Sequence, residues 1–260
     1  MRKLILGLAI LIGLAVVVDF GAAAYSEYRV SRALREGGEL SSDPEVTIHG
    51  FPFITQAIDG KYKNIEIRAQ GVRADLISNT TLEATLNGVS IPASDLIEGK
   101  VHKVPVDHIG GRLKIDATEL GQLLGIPDLQ VSASPADKSD GTGGSGGSGM
   151  TTTGGGVVLT GTVTIGPFTQ KVSVKADLVL DGNQVKIAAS DFYTGGDGGI
   201  DVAVPEQLKA TVLGLFDRYI DTRQLPFGVV PTKVSAQGSQ IVIEGEGDNV
   251  TIDIDQLQRP

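Results

Sequence analysis

The chain has 260 residues, 41% hydrophobic and 20% charged, which is enough for one large domain or two small ones with a real core. Its formal charge is −9, and no Lys/Arg cluster follows the first three residues. A nucleic-acid binder needs basic surface to displace phosphate counterions, so that class is excluded. Cys and Trp are absent, which removes disulfides, thiol catalysis, Cys-ligated zinc and a lipidated cysteine anchor.

Arg2 and Lys3 precede an apolar run from Leu4 to Val18. Asp19 ends it, and a second apolar patch runs from Phe20 to Ala24. A basic head before such a run reads as a secretory signal or a membrane anchor. The run falls short of the ~20 residues that span a bilayer core. Ala22-Ala23-Ala24 offers a small-residue cleavage site before Tyr25, so residues 1–24 are read as a signal peptide or a retained anchor. Either reading puts residues 25–260, taken as one domain, outside the cytoplasmic membrane.

Tyr25 to Glu36 continues as helix until Gly37-Gly38. Short strands follow at 46–48, 65–69, 82–86, 89–91 and 112–116, alternating apolar and polar as half-buried antiparallel sheet does. Asp116 and Glu119 mark the start of a short helix whose stripe is Leu120, Leu123 and Leu124, ended by Gly125 and Pro127. Residues 139–156 are nearly all Gly, Ser and Thr, and are read as a disordered loop because they have little to bury. Strands resume beyond it at 157–159, 162–165, 172–176 and 178–180, with Asp181-Gly182-Asn183 as a hairpin turn into 185–187. The same texture on both sides suggests one sheet interrupted by a loop. Pro205 to Ile220 is expected as an amphipathic helix, with Leu208, Val212, Leu215, Phe216, Tyr219 and Ile220 on one face. Strands at 229–236, 240–244 and 251–254 close the chain.

The Gly-rich tract spells G-x-G-x-x-G and G-x-S-x-G, but it lacks the strand before and helix after that those motifs require. His49, His102 and His108 are the only imidazoles, and their spacing offers no metal set. Glu244, Glu246, Asp248, Asp253 and Asp255 lack calcium-loop spacing and read as a solvated strand face. The residues therefore point to no catalytic group, no metal and no cofactor.

His49-Gly50-Phe51-Pro52-Phe53-Ile54-Thr55-Gln56, Leu225-Pro226-Phe227-Gly228 and the Gly245-x-Gly-x-x-Val-x-Ile252 stretch together resemble the LmeA-type phospholipid-binding proteins of the actinobacterial cell envelope. The resemblance implies a phospholipid partner at the membrane and a tubular lipid-binding fold, as in bactericidal/permeability-increasing proteins. That is an α+β arrangement with a curved antiparallel sheet around a long amphipathic helix. An acyl chain loses about 0.8 kcal/mol per CH₂ in water, so a 16-carbon chain opposes leaving the bilayer by roughly 12 kcal/mol. A carrier must supply a dry tunnel. The expectation is that Leu208, Val212, Leu215, Phe216 and Tyr219 face it, with Phe51, Phe53 and Phe227 near its walls or mouth. The alternative is a non-enzymatic structural or interaction protein of the envelope without a lipid ligand.

Overall fold

The N-terminal apolar segment and the residues after it form a single helix, α1 (Arg2–Gly37). The computed structural model describes residues 2–37, 42–70, 80–92, 95, 103–134, 156–182, 184–194, 204–221, 225 and 229–253. His102, Asn183, Phe227 and the tract read as a disordered loop, except Gly156, lie outside them. The chain divides into two compact units, and two of the four divisions fall within strands, after Gly111 and after Gly245.

The first unit holds α1, β1 (Glu45–His49), α2 (Phe53–Asp59), β2 (Lys61–Gln70) and β3 (Thr81–Ser90). It also holds the N-terminal part of β4 (Lys103–Asp116) and the C-terminal part of β11 (Gln240–Asp253). β1 pairs antiparallel with β2 from Glu45↔Arg68 to His49↔Asn64, and β2 with β3 from Lys61↔Ser90 to Gln70↔Thr81. Val46, Ile65, Leu86, Val89, Val106 and Ile109 form its apolar interior. β4 is much longer than the 112–116 expected, because its buried positions change phase between Val106 and Ile109 and so hide the alternation.

The second unit holds the remainder of β4 and β11, α3 (Ala117–Leu124), β5 (Gln130–Ala133), β6 (Gly156–Ile165), β7 (Phe168–Asp181), β8 (Gln184–Phe192), α4 (Glu206–Phe216), β9 (Arg218–Asp221) and β10 (Val230–Gln237). The described residues form two antiparallel sheets rather than the one suggested by the sequence, ordered β1-β2-β3-β4-β11-β10 and β5-β6-β7-β8-β9. Alternation reports which face of a strand is wet, but not which edge it pairs along. The hairpin joining β7 to β8 is as expected, with Asp181 opposite Gln184.

Local chemistry accounts for the element ends. Asp116 Oδ1 accepts from the Glu119 amide at 2.9 Å, which caps α3. The Glu119 side chain is buried there, and its Oε2 has no hydrogen-bond partner. In the Gly245-x-Gly stretch, a Cβ at Gly245 would lie 2.6 Å from the Val230 carbonyl oxygen, so only glycine lets β11 approach β10 there.

The helix expected over 205–220 stops at Phe216, and residues 218–221 are strand β9 instead. Asp217 Oδ1 accepts from the Ala189 amide at 2.6 Å and draws the chain onto the edge of β8. Tyr219 and Ile220 then pair with Lys186 and Val185, positions that suit aromatic and β-branched side chains.

Removing the α3 cap tests this description. Asp116→Ala should cost about 1 kcal/mol, a fall of roughly 2–4 °C in melting temperature for a chain of this size. Asp116→Asn should recover most of it in the same thermal melt, since an amide oxygen caps nearly as well.

Candidate functional site

The residues singled out by the sequence fall in both units. In the first unit Phe51 and Phe53 flank Pro52 and meet different fates. Phe53 is buried, its ring 6.2 Å from that of Tyr62. Phe51 is exposed and stacks on Phe20 of α1 with 6.0 Å between centroids.

The local fold explains the difference. Pro52 precedes α2 in an extended conformation, and the first amides of that helix have no intrahelical acceptor. Asp19 supplies one. Its Oδ2 accepts from the Phe53 amide and its Oδ1 from the Ile54 amide, both at 2.8 Å, and the Asp19 side chain is buried by the contact. Gln56 is buried on the same helix. Its Nε2 donates to the Gly50 carbonyl at 3.0 Å and its Oε1 accepts from the Lys63 amide at 3.0 Å. Gly50 has φ +111°, and a Cβ there would sit 2.7 Å from Gln56 Nε2, so this turn requires glycine. The helix α2 was missed by strand-oriented reading. Its available signals were Pro52 before it and Gly60, which ends it in the left-handed region.

In the second unit Val212 and Phe216 share the fully buried face of α4, which packs on β7 and β8. Leu208 is half-buried. Leu215 is 37% exposed and stands at the rim of a cleft of about 480 Å³. Tyr219, on β9, is exposed with Lys186 Nζ 5.6 Å from its ring centroid. The cleft is lined by the Leu124–Asp128 turn after α3, by Thr162–Thr164 of β6 and by Leu215. Its volume lies within the ordinary range of small-molecule sites, about 300–1,000 Å³.

Asp128 fastens one wall of that cleft. It accepts from the Thr162 amide at 2.8 Å and from the Thr162 hydroxyl at 2.7 Å. These bonds favour the ionised form and hold the carboxyl below its ordinary value of 3.8.

The titratable groups form no reactive set among the described residues. His49 Nε2 lies 3.4 Å from Glu66, and His108 Nδ1 lies 2.7 Å from Asp248, on exposed surface in both cases. Burial raises the Tyr62 hydroxyl pKa, which keeps that group neutral across the physiological range. No cluster of His, Cys, Asp and Glu that could hold a metal is found among the described residues.

Two outcomes follow from this geometry. Because the Asp128 pKa is depressed, its contribution is present above the unfolded carboxyl value and is lost as pH falls through the lower folded value. Thr162 amide exchange, corrected for its intrinsic pH dependence, should stay protected at neutral pH and lose protection only below about the ordinary carboxyl range. Substitutions on α4 should also split. Val212→Phe enters a filled interior and should cost about 1–3 kcal/mol, whereas Leu215→Trp should leave the melting temperature nearly unchanged because its ring extends into the cleft.

No curated protein and no solved structure matches the chain. A comparison with protein families matches residues 17–246 to the family described as LmeA-like phospholipid-binding. That match takes in Asp19, the Gly50–Gln56 turn, the cleft and all of α4. The chain therefore belongs to the LmeA-like phospholipid-binding family.

Proposed function

We propose that the chain binds phospholipid outside the cytoplasmic membrane, shelters acyl chain against the apolar side of α4, and passes lipid between envelope surfaces in support of lipid or lipoglycan assembly. The observation that carries the reading is the family match over residues 17–246. The cleft beside Leu215 supports it as the point of entry, since it is concave, partly apolar and takes in a part-exposed leucine of α4. Leu208, Leu215 and Tyr219 are the proposed lipid-side residues of α4 and β9, with Val212 and Phe216 packed behind them as interior. The reading needs no catalysis: an apolar site offsets the loss of about 0.8 kcal/mol per CH₂ that an acyl chain would suffer in water on leaving the bilayer.

The test is extraction of the purified chain with organic solvent, followed by mass spectrometry, together with transfer of fluorescent phospholipid between vesicles. Phospholipid should co-purify, Leu215→Trp should lower its amount without lowering the melting temperature, and His49→Ala and His108→Ala should leave it within a few-fold. Finding no lipid and no transfer would favour the second reading, a structural or interaction protein. The complete burial of Val212 and Phe216 fits that reading as ordinary core.

A further inference from the structure

The described helices include one that is long and apolar enough to cross a membrane, α1, and its outer half is built into the first unit. Asp19 holds the amides of Phe53 and Ile54. Glu27 Oε1 accepts from the Ile48 amide at 2.8 Å, and Ser31 Oγ donates to the Pro44 carbonyl at 2.6 Å. Arg35 pairs with Asp43 at 3.1 Å. The inner half differs: from Leu4 to Val18 every residue but Val16 is exposed.

Cleavage before Tyr25 would remove Asp19 and Phe20. It would strip two α2 amides of their acceptor and Phe51 of its stacking partner. The family match also reaches back to Val17, upstream of that cleavage position.

Burial of Asp19 changes the length arithmetic of the span. With its carboxylate exposed, the apolar run would end at Val18 and be too short for a bilayer core. With the carboxylate covered by α2, the apolar surface continues through Phe20 to Ala24. Leu4 to Ala24 then rises roughly 30 Å, matching the hydrocarbon thickness. The α2 segment that covers Asp19 lies at the outer edge of that span. It carries exposed Phe51, Ile54 and Ile58 beside exposed Phe20, and Ile54 and Ile58 share one helical face.

From this we infer that residues 1–24 are retained as a transmembrane anchor, and that Phe20, Phe51, Ile54 and Ile58 form a membrane-embedded apolar collar seated in the outer-leaflet interface. The occupant of this face is the bilayer itself, because the face is continuous with the apolar surface of the helix that crosses it. The inference rests on the extracytoplasmic reading for the side of the membrane, but not on lipid being bound in the cleft.

The experiment uses the full chain purified from membranes and reconstituted in phosphatidylcholine–phosphatidylglycerol vesicles. Intact mass should show residues 1–24 still attached. A folded mature protein beginning at Tyr25, with an undiminished melting temperature, would overturn retention. The chain has no cysteine, so single-cysteine variants label cleanly. An environment-sensitive dye at Ile58→Cys should shift to the blue and be quenched by lipids spin-labelled near the headgroup. The same dye at Glu45→Cys should remain in water, because Glu45 follows Pro44, which is held at Ser31, about 18 Å further along α1 than Asp19. Equal quenching at the two positions, or none at Ile58, would overturn the collar. Neither readout disturbs the Asp19 contact. Assaying co-purified phospholipid in the same preparation keeps failure of the lipid-binding reading separate from failure of this one.

Discussion

Asp19 holds two backbone amides at 2.8 Å, and the first unit is arranged so that it can. Gly50 turns the chain at φ +111°, Gln56 clamps that turn, and Pro52 delivers the start of α2 with its amides facing α1. Hydrogen bonds to a charged group contribute roughly 1.5–3 kcal/mol each, and removing one partner leaves the other buried and unsatisfied. Gly50, Phe51, Pro52 and Gln56 thus act locally as the clasp of an apolar helix. The family resemblance rests partly on this motif, and its most constrained residues hold α2 against α1.

The same device recurs at other element ends. Glu27 accepts from Ile48, Asp116 from Glu119, Asp128 from Thr162 and Asp217 from Ala189, each through a backbone amide. Helix starts and strand departures leave amides without local acceptors, and a short carboxylate reaches them where a long cationic side chain cannot accept at all. Part of the acidity of the chain is therefore structural. That is why charge alone spoke only to what the protein does not bind.

What the sequence disclosed follows the same division between local and distant causes. Strand alternation, the hairpin joining β7 to β8, the Asp116 cap and the apolar N-terminal helix each depend on residues within a few positions, and each was legible. The early end of α4 was not, because Asp217 finds its donor on Ala189, a residue of another strand. The N-terminal part of β4 was hidden by its change of phase between Val106 and Ile109. Phe51 and Phe53 look equivalent in the sequence, and what separates them is distant: Phe20 on one side and Tyr62 on the other. The cleft was legible only through Leu215, since its other walls come from the turn after α3 and from β6, neither of which carries a ligand-like pattern.

Net charge sets a further condition on how such a chain meets a membrane. At −9 it gains nothing from an anionic lipid surface, which attracts basic segments and repels acidic ones within about a Debye length. Electrostatic steering, the usual route to fast surface encounter, is closed to it. In the anchored form proposed above, the apolar helix fixed to the folded unit replaces that route. It converts each encounter with the bilayer into an intramolecular one, governed by effective concentration rather than by charge. A carrier held in this way needs little intrinsic affinity for the surface. Its acidic side chains are then free to satisfy the backbone without weakening its hold on lipid.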